Sequence, residues 1–176
     1  MTPLVTITDL ATFKYIADSV RNAAVWPQFV NEAQLLDVKC WLGDALLAEI
    51  IDQAETSPES FSTANEALLN GGQYTYQSRT YMFQGLKAAI IYYAFARYTS
   101  RAPYNFTAAG ITVKDTDLSA PASDKAVQRL STEAMLTASS IKDEVILFLR
   151  RNAKDYPLYR CTNQGGRPRT FFVIGD

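Results

Sequence analysis

The spacing of apolar residues along this chain predicts a mainly α-helical protein. Three long segments carry apolar side chains at steps of three and four residues, which line up one face of a helix. The first begins at an expected N-cap, Thr8. The second spans about residues 29–53 after an interruption at Trp26-Pro27, and the last spans about residues 124–152. The residues expected to face the core are Leu10, Phe13, Ala17 and Val20 on the first helix, Leu35, Val38, Leu42, Leu46 and Ile50 on the second, and Val127, Leu130, Ala134, Ala138, Ile141, Val145 and Phe148 on the last.

Turn and cap residues predict where two further helix ends fall. Ser57-Pro58-Glu59 presents a capping side chain, a first-turn proline and a first-turn acid in the favoured order, so a helix is expected to begin there. It is expected to end at Asn70-Gly71-Gly72, because glycine accepts the left-handed conformation of a helix C-terminus. Residues 119–123 are expected to form a loop that ends in the cap of the last helix.

The most apolar helix is predicted in the middle of the chain, over about residues 82–99. Its stretch Ala88 to Ala96 contains no charged residue, so this helix must be covered on more than one side. One face is expected to pack on its own domain, and the opposite face on another layer or another subunit. Ile90 and Ile91 point about 100° apart on a helix. The candidate subunit-interface residues are therefore Ile90, Ile91, Tyr92 and Tyr93.

Two short β-hairpins and a C-terminal arm complete the predicted fold. Residues 73–83 alternate aromatic and polar side chains, and residues 105–113 place Phe106, Ile111 and Val113 around Gly110. After Tyr156-Pro157 the composition changes to a flexible, basic and then β-prone end. The expected fold is a mainly α, single-domain helical bundle over residues 1–160, with one or two small β-hairpins, and an extended C-terminal arm over residues 161–176.

The arm is a candidate partner-binding segment. Thr170 to Ile174 is β-prone, and a strand with unpaired backbone groups can complete the sheet edge of a partner. Flanking arginines would pair with carboxylates beside that edge and set its register. The alternative is that Phe171 and Phe172 fold back onto their own helices. The residues assigned to partner binding are Arg167, Arg169, Phe171, Phe172, Val173 and Ile174.

Several classes of catalysis have no suitable residues in this sequence. The chain of 176 residues contains no histidine, which excludes Ser–His and Cys–His pairs and histidine-ligated metals. The acid pairs Asp115/Asp117 and Asp143/Glu144 are expected to be solvated. Neither Gly71-Gly72 nor Gly165-Gly166 has the context of a phosphate-binding loop. No catalytic residue, metal or cofactor is therefore expected.

Two cysteines are too few for a disulfide framework, so free thiols in a reducing compartment are expected. Cys40 lies in an apolar stretch and is expected to be a small buried side chain, whereas Cys161 lies in the arm. No secretory signal and no apolar run long enough for a membrane span is visible. The expectation is a soluble protein made in the cytosol, with no membrane contact.

The charged and aromatic residues leave open whether this protein binds nucleic acid. The net charge is −1, but the charges are unevenly distributed. From Arg150 onward there are six basic and two acidic residues, whereas the chain before Arg150 has 11 basic and 16 acidic residues. An aromatic set could stack bases with the help of nearby basic residues, or could build a core and an interface. Its helical spacing favours packing. The aromatic residues are Tyr74, Tyr76, Tyr81, Phe83, Tyr92, Tyr93, Phe95 and Tyr98, and the basic ones Arg79, Lys87, Arg97 and Arg101.

Residues from about Glu32 to Tyr159 resemble the head–tail connector, or neck adaptor, proteins of tailed bacteriophages, above all those of phages that infect Bacteroidetes. Three segments carry the resemblance: ALLNGGQYTYQSRTYMFQGLKAAIIYYAFARY, SAPASDKAVQRLSTEA and EVILFLRRNAKDYPLY. They are packing patterns without an active-site signature. The first thirty and the last fifteen residues lie outside it.

The resemblance implies a helical bundle that assembles into a ring, often of twelve copies, beneath the portal. It implies a virion protein of the neck, made in the host cytoplasm, whose termini contact the portal and the tail or next neck protein. DNA would pass through the ring with only transient, non-specific contact. The resemblance carries over no catalytic residue.

Two other functions compete with the connector hypothesis. A small helical DNA-binding or regulatory protein would fit the basic C-terminus, although no helix–turn–helix pair with an exposed basic recognition face is visible. An enzyme that uses carboxylates on a sugar or a metal is the third possibility.

Overall fold

The computed structural model describes residues 2–13, 25–56, 61–102, 104–107, 110–113 and 123–159. The N-terminal part contains α1 (Ile7–Phe13), α2 (Trp26–Glu32), a π-helical segment π1 (Ala33–Val38), α3 (Lys39–Leu42), α4 (Asp44–Thr56) and α5 (Thr63–Asn70). The strands β1 (Gly72–Tyr76) and β2 (Arg79–Phe83) follow. Next come α6 (Gly85–Arg101), the strands β3 (Tyr104–Thr107) and β4 (Gly110–Val113), and α7 (Asp124–Arg151). The mainly α fold with small hairpins is confirmed.

Both predicted hairpins are present as separate antiparallel pairs. Strand β1 pairs with β2 in a register that places Tyr74 opposite Tyr81, and β3 pairs with β4. The β1–β2 turn is made by Gln77 and Ser78, both with positive φ. Such a two-residue turn matches the right-handed twist of its strands. Strand β2 runs to Phe83, so the central helix begins at Gly85 and not near residue 82.

The helix predicted over residues 29–53 is interrupted. It begins earlier, at Trp26, with Pro27 in its first turn. It then passes through π1 and ends at Leu42, where Gly43 takes φ +92 before α4 starts. Val38, Leu42, Leu46 and Ile50 are buried as predicted. The prediction that Leu35 faces the core is wrong, because the wider turn of π1 rotates the helix and leaves this side chain 46% exposed.

Cys40 is also placed differently from the prediction. It is exposed, and its thiol donates to the backbone carbonyl of Leu36 at 3.1 Å. The same shift of the helix face explains this, since the residues that π1 buries are Ala33, Gln34 and Val38. The buried Gln34 accepts a hydrogen bond from the Leu4 backbone N–H at 2.8 Å, which fixes the N-terminal segment on the core.

Two predicted helix starts are corrected by the observed caps. Thr6, not Thr8, caps α1, because Thr6 and Asp9 exchange the hydrogen bonds of a capping box. Ser62 caps α5 through a bond from the Asn65 backbone N–H, so the helix does not start near Ser57. Residues 57–60 lie outside the described part of the chain, as do Ala17 and Val20. Ser123 caps α7 as predicted.

Helix α6 forms the centre of the core. It packs along α7 on one side and against α2, π1 and α5 elsewhere. Ser131 of α7 donates to the Ala96 carbonyl at 3.0 Å. The prediction that α6 is covered on more than one side is confirmed, and this chain itself supplies the cover. Its buried residues point in all directions around the helix: Gly85, Leu86, Ala88, Ala89, Ile90, Ile91, Tyr93, Ala94 and Ala96.

The predicted core face of α7 is confirmed over its second half. Ala134, Ala138, Ile141, Val145 and Phe148 are buried. The prediction that Leu130 faces the core is wrong. This side chain is 51% exposed, and the buried residues of α7 begin only at Ala134. The seam therefore serves packing inside one chain.

Two glycines fix the base of the β1–β2 hairpin. Gly71 and Gly85 have φ +73 and +83, and each would place a Cβ against the backbone of the other's segment. Side chains would clash there, and L residues rarely adopt this conformation. Gly71 also ends α5, as predicted, so the two glycines hold the hairpin between α5 and α6.

Candidate assembly surfaces

The proposed interface on α6 is corrected by the burial of its residues. Ile90 and Ile91 are both 0% exposed within the single chain, and Tyr93 is buried beside them. Burial raises the pKa of Tyr93 to about 12. The interface assignment of Ile90, Ile91 and Tyr93 therefore changes to a core assignment. Tyr92 is half-buried, with its ring 6.3 Å from that of Phe13, and its interface role stays a prediction.

Other predicted functional residues fall outside the described part of the chain. These are the loop acids, the second cysteine and the whole partner-binding arm, so their assignments stay predictions: Asp115, Asp117, Cys161, Arg167, Arg169, Phe171, Phe172, Val173 and Ile174.

Two pairs of exposed leucines lie on two different elements, α7 and π1. Leu136 and Leu147, 65% and 43% exposed, are three helical turns apart on α7, on the side opposite its buried residues. Leu35 and Leu36, 46% and 58% exposed, lie on the outer side of π1. Helix α7 and segment π1 both pack against α6. The chain thus presents two separate pairs of exposed leucines.

A network of ion pairs joins π1 and α2 to the C-terminal half of α6. The Arg97 guanidinium contacts both oxygens of Asp37, with Nε–Oδ2 at 2.7 Å and Nη2–Oδ1 at 2.9 Å. Arg97 also lies 3.6 Å from Glu32, which accepts a 2.8 Å bond from Arg101. The Arg101 hydrogen bond lowers the pKa of Glu32, and the bond to Asp37 raises the pKa of Arg97. Both arginines are engaged by carboxylates of their own chain.

A second cationic site lies where the β1–β2 hairpin meets the end of α7. The Arg151 guanidinium lies 3.9 Å from the ring centre of Tyr81 and 5.2 Å from that of Tyr76, and donates to the Tyr74 hydroxyl at 2.9 Å. Tyr74 and Tyr81 stack on each other at 5.6 Å. Among residues 2–13, 25–56, 61–102 and 123–159, no carboxylate lies within ion-pair distance of Arg151.

The aromatic set serves packing in the places where its rings can be followed. Phe83 stacks on Phe148 with ring centres 4.1 Å apart, and Tyr74 meets Phe148 edge to face at 5.0 Å. Tyr98 contacts Trp26 and Phe29 in the same manner. These contacts use the ring faces and edges that base stacking would need, so they support the packing interpretation.

Helix α4 carries the opposite charge. It contains four acidic residues and no basic one: Asp44, Glu49, Asp52 and Glu55. Asp52 is exposed, as are the small side chains of Ala45 and Ala48. These residues line a shallow groove of about 600 Å³ that continues to Ser62. The outer side of α4 is therefore acidic and has room for a large side chain.

A cluster of metal-ligating side chains and a membrane-spanning helix are both absent from the described residues. No group of three or more metal-ligating side chains is found among them, and none of their helices is long and apolar enough to cross a bilayer. A cleft of about 590 Å³ between α2 and the end of α6 is lined by Val25, Phe29, Tyr98 and Tyr104. Its one charged side chain, Arg101, is bound to Glu32.

The geometry shows functional candidates that the sequence analysis missed. Asp37 and Arg97 are 60 residues apart, so no local pattern relates them. The Leu35–Leu36 surface depends on π1, for which the sequence showed no signal. Arg151 was counted only among the basic residues of the C-terminal part, because its contacts with the β1–β2 hairpin join parts of the chain that are distant in sequence.

These features define a mainly α-helical protein with two small hairpins, a central helix covered on several sides, and separate apolar and charged surfaces on its outside. The chain belongs to DUF6712, a family of unknown function, whose model matches residues 38–169. Searches among curated proteins and among solved structures gave no significant match.

Proposed function

We propose that this protein is a structural virion subunit, a head–tail connector that forms a ring under the portal, links capsid to tail and lets DNA pass. The observation that carries the proposal is the presence of two unlike exposed leucine pairs, Leu35/Leu36 and Leu136/Leu147. A closed ring uses heterologous contacts, in which one surface of each subunit meets a different surface of the next.

Two further observations support this function. The three segments that resemble connector proteins cover α5 to α6, the start of α7 and its end, so the resemblance follows the core of the fold. The DNA-binding alternative is weakened, because two of the arginines that could contact nucleic acid, Arg97 and Arg101, are paired with Asp37 and Glu32. The proposal includes a ring of twelve copies and contacts with the portal protein and with the tail.

Leucine substitutions test the two surfaces. We expect Leu36→Arg and Leu136→Arg each to weaken the contact between neighbouring copies about tenfold or more and so to lower the fraction of protein in rings, because loss of a central apolar contact removes roughly 1.4 kcal/mol or more of binding free energy. Thermal melting should stay unchanged, since both side chains are exposed. Sedimentation velocity of the protein, alone and mixed with the portal protein of the same genome, measures the ring fraction.

Leu130→Arg is the matched control. Leu130 is exposed on the same helix but points about 120° away from Leu136. It should assemble normally. Equal loss of rings in all three variants, or in none, would contradict the assignment of these two surfaces.

A further inference from the structure

The Arg151 site has the composition of a binding hot spot. Tyrosine and arginine are enriched at the centres of protein interfaces, where they bury large areas and still make polar contacts. Arg151 is half-buried and oriented by three tyrosine rings, so little side-chain freedom remains to be lost on binding. Among the described residues, the Tyr74 hydroxyl accepts a hydrogen bond from Arg151, whose guanidinium carries five N–H donors.

The surroundings of Arg151 are basic and partly apolar. Arg79, which pairs in register with Tyr76 of the hairpin, and Lys154, three residues after Arg151, are both exposed, and the acidic Asp155 follows Lys154. Leu147 lies one turn before Arg151 on α7 and is 43% exposed. We call this surface the basic end. Its chemistry suits a partner that carries carboxylates next to small side chains.

Such a partner surface exists on the same chain. The outer side of α4 combines exposed Ala45 and Ala48 with the carboxylate of Asp52, along the groove of about 600 Å³. Helix α4 has no basic residue that would compete for these acids, although Lys39 of α3 pairs with Asp44 at 2.9 Å. The two surfaces are complementary in charge, and the groove has room for a bulky side chain.

We infer that the basic end of one copy docks on the acidic outer side of α4 of a second copy, with Arg151 donating to the carboxylate of Asp52. The inference rests on the proposed ring and names the polar part of its subunit contact. The charges would select the register of neighbouring copies, and Leu147 would add apolar contact at the border.

Charge reversal tests this contact in the full-length protein. Arg151→Glu and Asp52→Arg should each weaken self-association about tenfold or more, because like charges then face each other across the contact. The double variant R151E/D52R carries both charges exchanged in every copy, so it should recover association to within about threefold of the unchanged protein. Concentration-dependent mass photometry measures the association.

Two controls keep the test decisive if Arg151→Glu loosens the hairpin. Lys154→Glu changes an exposed charge of the basic end and should weaken association without lowering the melting temperature. Lys125→Glu changes an exposed charge at the other end of α7 and should have no effect. Failure of the double variant to recover, with the melting temperature unchanged, would overturn the inference.

The remaining outcomes separate this inference from the proposed function. If Leu36→Arg and Leu136→Arg abolish rings while all charge variants assemble normally, the connector proposal stands and this contact is refuted. If the unchanged protein forms no ring with or without portal, both fail. If the Arg151→Glu variant instead loses binding to duplex DNA at physiological salt, the partner of Arg151 is phosphate and the inference is wrong.

Discussion

Replacing either Ile90 or Ile91 with aspartate is expected to destabilise the fold severely. Both side chains are fully buried in the core around α6. A carboxylate there would have no partner, and an unpaired buried charge costs several kcal/mol even after its pKa rises. We expect each variant to lose about 4 kcal/mol or more, a large part of the stability of a typical domain. Circular dichroism during urea unfolding would measure the loss.

The matched surface control is Met82→Asp. Met82 is 74% exposed on β2, so the same kind of change there should alter stability by about 0.5 kcal/mol or less. Ile90→Val and Ile91→Val should each cost about 1 kcal/mol, which shows that the sites tolerate a smaller apolar side chain. The core assignment would be contradicted if one aspartate variant kept its fold and lost only assembly. That result would return this isoleucine to the subunit interface.

Removal of Arg97 is expected to produce the second largest effect. Arg97→Met leaves the Asp37 carboxylate, 15% exposed, without its two hydrogen bonds. Breaking such a pair from one side costs about 3 kcal/mol, because the remaining charge stays desolvated. Asp37→Leu should cost a similar amount. The double variant should lose roughly 2 kcal/mol less stability than the two single variants lose together, since no charge is then left unpaired.

Arg101→Met is the control for this network. Arg101 is 42% exposed and pairs with Glu32 at the rim, so its loss should cost about 1 kcal/mol or less. Because Glu32 has a lowered pKa in the folded protein, its contribution is complete above its unfolded pKa and is lost as the pH falls through the folded value. Strictly additive losses in the double variant would show that Arg97 and Asp37 do not stabilise the fold as a pair.

Local patterns predicted the elements of this fold more accurately than their junctions. Periodicity was sufficient for the hairpin over residues 73–83 and for α7, because each repeats its spacing over several residues. The position of Leu35 was wrong because one π-helical segment changes which residues face the core, and a 3.6-residue pattern cannot show this in advance. The break at Gly43 likewise depends on a single residue with positive φ.

The candidate surfaces were less predictable than the fold. The apolar composition of α6 showed correctly that two sides need cover, but not that α2, π1 and α5 supply it in place of a neighbour. The contacts of Asp37 with Arg97 and of Arg151 with Tyr81 join distant parts of the chain, so they exist only after the helices have packed. Leu136 and Leu147 already lay outside the predicted core face of α7, whereas the exposure of Leu35 depends on π1 and could not be predicted.

The most direct test of the connector proposal is electron microscopy of the purified protein mixed with the portal protein encoded in the same genome. We predict closed rings stacked coaxially on the portal, with an open central channel and density that connects each subunit to the next through unlike surfaces. Protein that stays monomeric beside undecorated portal, and that is instead retained on duplex DNA at physiological salt, would contradict the proposal and favour the DNA-binding alternative.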